Sequence, residues 1–138
     1  MRVVIDTNVL VAALRSSTGA AFQVLKLMRY GRFEFALSVP LFLEYEDVLK
    51  RPGMVPLPTG RIDQLLELLA VTGAPYDIFF LWRPFLKDKK DDMVLELALA
   101  GGCAAIVTYN QKDFVGVAQL GIQAWTPHEL LIQLGEAQ

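Results

Sequence analysis

Val3-Val4-Ile5 is an unbroken apolar run of β-branched residues, which predicts a short buried strand over Val3–Ile5. Val9, Leu10, Ala13 and Leu14 then recur at helical spacing, predicting a helix over Asn8–Arg15. Ser16-Ser17-Thr18-Gly19 interrupts the pattern. A second helix is expected over Ala20–Tyr30, apolar at Phe22, Leu25, Leu27 and Met28 and ended by Gly31. Phe33–Leu37 reads as the second strand. After the turn Ser38-Val39-Pro40, a helix over Leu41–Arg51 follows, with Pro40 suited to its first position and Pro52-Gly53 stopping it.

Met54–Gly60 is rich in proline and glycine and reads as a loop. Ile62, Leu65, Leu66, Leu68 and Leu69 give one apolar face to a helix over Arg61–Val71. Gly73-Ala74-Pro75 reads as a break, Tyr76–Leu81 as a strand, and Arg83–Asp92 as a charged loop. Met93–Ala100 is apolar except for Glu96 and predicts a buried helix ended by Gly101-Gly102. Ala104–Thr108 is a strand, Tyr109–Asp113 the loop beyond it, and Ile122–Trp125 the last strand. Thr126-Pro127-His128-Glu129 forms a capping box that opens the helix Glu129–Leu134. Strands alternate with helices throughout. The expected fold class is α/β, a three-layer α/β/α arrangement around a central, mainly parallel sheet.

A chain of 138 residues suits one domain over 1–138 with one core. Its hydrophobic content of 54% implies extensive burial or self-association. No apolar run is long enough to cross a bilayer, so no membrane partner is expected. Met1-Arg2-Val3 runs straight into a strand without a signal-peptide layout. The single cysteine, Cys103, sits among small apolar residues; it reads as a core residue and points to a cytoplasmic setting. The run Tyr76–Trp82 reads as a buried strand or a dimer face. A net charge of −2 excludes a bulk cationic grip on nucleic acid, leaving local contacts or intervening metal ions.

The carboxylates change the picture. Asp6 follows the first strand, at the rim where open parallel sheets bind ligands. Glu44 lies early in the third helix, on the flank of the face formed by Leu41, Phe42, Tyr45, Val48 and Leu49. Asp91 and Asp92 adjoin the start of the most apolar helix. Asp113 follows the strand that ends at Thr108. Taken singly, each has an ordinary structural reading as a helix cap, a surface glutamate or a turn residue. Together they map to one rim, where carboxylates sharing a pocket would repel one another strongly at low dielectric. Divalent cations relieve that repulsion. Hard oxygen donors favour Mg2+ or Mn2+, and His128 with Cys103 offers no zinc set. Such a cation can polarise a phosphodiester and activate water.

Val3-Val4-Ile5-Asp6-Thr7-Asn8-Val9-Leu10, Ser38 with Glu44 and Val48-Leu49, and Asp88 with Asp91-Asp92 stand in a distinctive order. Leu95-Glu96-Leu97-Ala98, Ile106-Val107-Thr108-Tyr109-Asn110, Asp113-Phe114 and Thr126-Pro127 complete the series. This ordered set resembles the PIN-domain ribonucleases, and among them the VapC-like toxins of toxin–antitoxin pairs. The resemblance implies a PIN-like α/β/α fold and Mg2+- or Mn2+-dependent hydrolysis of RNA. It implies metal binding and catalysis by Asp6, Glu44, the Asp91/Asp92 pair and Asp113. Thr7, Asn8, Ser38, Thr108 and Asn110 would support and orient those carboxylates and water. It further implies a homodimer and a small antitoxin covering the acidic pocket. Asn110 stands where many members carry an aspartate, so either Asp113 replaces that group or the fourth carboxylate is weakened. Asp91 and Asp92 remain alternatives as the primary ligand. Arg15, Lys89, Lys90 and Lys112 are candidates to guide an RNA backbone.

Three other readings compete. A haloacid-dehalogenase-type phosphohydrolase would need a second aspartate where Asn8 stands. A receiver-like signalling domain would need an acceptor aspartate after a middle strand. A non-catalytic RNA-binding or assembly module would follow from a weakened acidic site.

Overall fold

A computed structural model describes residues 1–79 and 85–138. The elements run β1 (Arg2–Ile5), α1 (Thr7–Arg15), α2 (Ala20–Arg29), β2 (Glu34–Leu37), α3 (Val39–Leu49) and α4 (Thr59–Thr72). They continue with β3 (Ala74–Pro75), α5 (Lys89–Ala100), β4 (Ala105–Val107), β5 (Gln123–Trp125) and α6 (Pro127–Gln133). Two 3₁₀ turns, Gln111–Phe114 and Val117–Leu120, link β4 to β5.

The five strands lie in the order β3-β2-β1-β4-β5, and every described pairing is parallel. Val3, Val4 and Ile5 of β1 and Ala105, Ile106 and Val107 of β4 are all at most 2% exposed. Alternate residues of a strand face opposite sides, so burial of consecutive residues requires cover on both faces. The chain is therefore a three-layer α/β fold. α2 packs on α1 and α6, α3 packs on α4 and α5, and α5 lies against β1, β2 and β4. Gly73 lets α4 close onto β2, since a Cβ there would meet Phe35 Cε2 and Leu69 O, each at 2.9 Å.

The strand order reverses at β1. The chain moves from β1 to β2 and β3, then crosses back to β4 on the other side of β1. The crevice between the carboxyl ends of β1 and β4 is thus a topological switch point, the place where such sheets bind ligands.

Several boundaries differ from the sequence reading, α3 and α6 each starting two residues early among them. The third strand is Ala74–Pro75 rather than Tyr76–Leu81. A proline that looks like a break is tolerated on this edge strand, which among the described residues has a neighbour on one side only. Tyr76 donates its N–H to Leu37 O at 2.9 Å, and Ile78 and Phe79 lie beyond the strand. Phe80–Leu81 of the expected strand, Trp82 of the aromatic run and Arg83-Pro84 of the expected loop lie outside the described residues. α5 starts at Lys89, not Met93, because Asp88 caps it and its first turn is polar. α4 begins at Thr59, with Pro58 preceding its first turn. The loop after β4 is wound into 3₁₀ turns. No described helix is long and apolar enough to cross a membrane.

Candidate active site

Asp6 occupies the switch point. Its backbone N–H donates to Val107 O at 2.9 Å, so the residue extends the β1–β4 ladder by one rung. It is also the N-cap of α1: Oδ1 accepts from Thr7 N at 2.9 Å. Oδ2 accepts from Thr108 Oγ1 at 2.8 Å and from Asn8 Nδ2 at 3.2 Å. The structural reading of Asp6 as a helix cap therefore holds, and the cap stands at the rim of the sheet. The residue is only 8% exposed, and burial raises its carboxyl above the ordinary value. The Thr108 and Thr7 hydrogen bonds oppose that rise, while Glu44 and Asp113 add to it.

Thr108 follows β4 and is fully buried. Its hydroxyl donates to Asp6 and accepts from Asn8 Nδ2 at 3.2 Å and from Asn110 N at 3.0 Å. Asn8 spans the crevice, because its Oδ1 also accepts from Tyr109 N at 3.1 Å. A carboxamide has no titratable proton, so Asn8 cannot supply the acid that a dehalogenase-type arrangement needs at this position. Thr7 Oγ1 donates to Glu44 Oε2 at 2.6 Å and ties α1 to α3. Glu44 is 15% exposed in its side chain, and Lys90 Nζ stands 3.9 Å from its Oε1. Lys90 is exposed, so this loose pair contributes at most about 1 kcal/mol.

Asp91 and Asp92 separate by task. Burial, then Asp6, Asp113, Asp88 and Glu44, push the Asp91 carboxyl from 3.8 up to about 7. Asp91 therefore shares an electrostatic neighbourhood with the other carboxylates. Asp92 Oδ1 instead accepts from Phe85 N at 3.1 Å and Leu86 N at 2.8 Å, tethering the segment that leads into α5. Asp113 lies exposed in the first 3₁₀ turn, its N–H donating to Asn110 O at 2.9 Å. The Asn110 side chain is exposed, and its contribution to the network is the backbone N–H. Ser38 is buried as the N-cap of α3, its hydroxyl accepting from Leu41 N at 3.2 Å. Arg15 Nε donates to Met54 O at 2.7 Å, which turns this cation toward the loop after α3.

Two contacts were not legible in the sequence, although Asp88 itself stands in the motif series. Tyr45 looked like a member of the apolar face of α3, yet its hydroxyl donates to Ile5 O, the carbonyl just before Asp6. It is fully buried, and burial raises its pKa well above the ordinary value. Asp88 caps α5 by accepting from Lys90 N at 2.9 Å, and it contributes to the field at Asp91. Cys103 is buried and its thiol is pushed up to about 11, consistent with an inert core residue.

The donors are all hard oxygens and mutually repulsive, which suits Mg2+ or Mn2+. Among the described residues, however, no three His, Cys, Asp or Glu side chains close into a group tight enough to hold one metal ion. Asp6, Glu44, Asp91 and Asp113 feel one another's charge without closing on one point.

No curated protein matches this sequence. In fold, the chain is similar to one from the crystal structure of VapBC2 from Rickettsia felis bound to a DNA fragment from their promoter. The two are 18% identical with a TM-score of 0.59, over 91% of this chain and 99% of that one. The PIN domain family model matches residues 2–112, a span that includes Asp6, Glu44, Asp91 and Thr108 and ends one residue short of Asp113. With most of its length matched from β1 onward, the chain belongs to the PIN domain family.

Proposed function

We propose that this chain is a Mg2+- or Mn2+-dependent endoribonuclease and the toxin of a cytoplasmic toxin–antitoxin pair. The observation that carries this reading is the buried Asp6 at the switch point, held through both oxygens, within the field of Glu44, Asp91 and Asp113.

Asp6, Glu44, Asp91 and Asp113 would hold the cation. When bound, it polarises the phosphodiester, activates water and offsets charge on the leaving oxygen. The protein's own part is orientation and charge. Thr7 N, Thr108 Oγ1 and Asn8 Nδ2 fix the plane of the Asp6 carboxylate. Thr7 Oγ1 holds Glu44 Oε2, so α1 presents one carboxylate and steadies a second. Asp91, its carboxyl pushed up to about 7 by burial and the neighbouring acids, would have to be deprotonated to serve as a ligand, so cation affinity would rise with pH near neutrality. Lys89, Lys90 and Lys112 are exposed cations beside these acids, suited to a phosphate backbone.

The fold match to a chain from the VapBC2 complex supports a small antitoxin as partner. The high apolar content is consistent with a homodimer. A short DNA-binding protein encoded next to this chain would support the toxin role. A second reading, a PIN-like RNA-binding module with a weakened site, is favoured by the open spacing of the carboxylates and by Asn110.

The test is cleavage of single-stranded RNA with Mn2+ or Mg2+, abolished by EDTA. Asp6→Asn is expected to remove cleavage while circular dichroism and melting show a folded chain. Undiminished cleavage by Asp6→Asn overturns the proposal. Calorimetry with Mn2+ separates the second reading, since an inert module has no reason to bind the ion.

A further inference from the structure

Beside the carboxylates lies a cleft of about 630 Å³, walled by the segment leading into α5 and the first 3₁₀ turn after β4. Phe85, Lys87, Asp91, Lys112, Asp113 and Val115 line it. Its volume falls in the range of small-molecule sites. We infer that this cleft seats the nucleotide next to the scissile phosphate of a single-stranded RNA, with Phe85 stacking on its base and Lys87 and Lys112 holding its phosphate. The inference rests on the ribonuclease reading above and names the path of that substrate.

The cleft combines two chemistries. Phe85 is 42% exposed and Val115 is 76% exposed, so an aromatic face and an aliphatic one are both left to solvent. Lys87 and Lys112, also exposed, come from different elements yet line the same space. Asp88, Asp91 and Asp113 would repel an anion entering alone, and the two lysines offset part of that charge. Single-stranded nucleic acid pairs a flat π-face with a phosphate at every unit. Proteins that hold it use aromatic platforms beside cations.

Phe85 is fixed rather than incidental. Its N–H and that of Leu86 donate to Asp92 Oδ1, which anchors the ring's backbone to the first turn of α5. The ring rests on Gly116, where φ is +95° and a Cβ would lie 3.5 Å from Phe85 Cε1. The positive φ, not the ring, is what calls for glycine at this position. This arrangement also gives Asp92 a task separate from that of Asp91: it positions the stacking platform.

The test is fluorescence anisotropy of a short 2′-O-methyl oligoribonucleotide with the full chain, over a series of salt concentrations, beside Mn2+-dependent cleavage of unmodified RNA. Phe85→Leu keeps apolar bulk and is expected to weaken binding about 5-fold or more, the lower end for one lost stacking contact. Phe85→Tyr is expected to restore wild-type affinity. The double variant Lys87→Gln/Lys112→Gln is expected to lower the slope of log K against log salt by about 0.7, the value for the single phosphate the two lysines share. If the wild type cleaves RNA while all variants bind with unchanged affinity and slope, the cleft assignment is overturned and the nuclease reading stands. If the wild type neither binds nor cleaves RNA, both fall together.

Discussion

One hydroxyl, that of Thr108, serves the Asp6 carboxylate, the Asn8 amide and the Asn110 N–H from a fully buried position. Thr108→Val keeps the shape, takes one hydrogen bond each from Asp6 and Asn8, and leaves Asn110 N without this acceptor. It is expected to cost about 1–3 kcal/mol in a urea titration and to lower metal-dependent cleavage about 10- to 100-fold, with Thr108→Ser retaining most of both. Asp91 gives a second expectation. The folded chain holds its proton up to about 7, against an ordinary 3.8. A carboxyl raised on folding stabilises fully below the lower value, and that contribution is lost as pH rises through the higher one. The melting temperature of the metal-free protein is therefore expected to fall between pH 4 and pH 8, and less so in Asp91→Asn. An unchanged slope in that variant would contradict the account. At this scale, the places of Asp6, Thr7, Asn8 and Thr108 were legible because each sits within three residues of an unmistakable apolar strand. The division between Asp91 and Asp92 was not, since neighbours on a helix start look alike until their partners are known. Tyr45 was hidden for a different reason: its ring satisfies the apolar pattern, and only the fold reveals what its hydroxyl meets.

Elements carry these groups to one place. α1 begins on Asp6, α3 brings Glu44 against Thr7, and α5 presents Asp91 one turn from its cap. Asp88→Ala removes the cap bond to Lys90 N and is expected to cost about 1 kcal/mol of stability by denaturant midpoint. It is also expected to lower the Asp91 pKa, since Asp88 raises it. Tyr45→Phe leaves Ile5 O without its donor and is expected to cost about 1–3 kcal/mol in the same measurement. The helices and the buried strands were readable from periodicity. The start of α5 was missed because four charged residues obscure a helical first turn, where acids in fact favour the helix dipole. The edge strand was missed because Pro75 reads as a breaker, although an edge position can spare its missing donor.

For the molecule as a whole, the parallel sheet gathers strand ends on one rim, and the reversal of strand order opens the crevice that Asp6 occupies. The alternation of strands and helices foretold the layers. It could not foretell the order β3-β2-β1-β4-β5, because pairing partners are not encoded in local pattern. Assembling acids here weakens the metal-free chain. Mn2+ at about 100 times its dissociation constant should stabilise the folded state by about 2.7 kcal/mol, seen as a rise in melting temperature that disappears with EDTA. The alignment of β1 with β4, Val3 on Ala105 through Ile5 on Val107, has a further effect. Asp6 and Thr108 form the next rung, so a slip of one place would part the acid from its hydroxyl while leaving a hydrophobic sheet. Competence therefore depends on two strands meeting in frame. A population of inactive chains with native-like helicity is the error this architecture risks most.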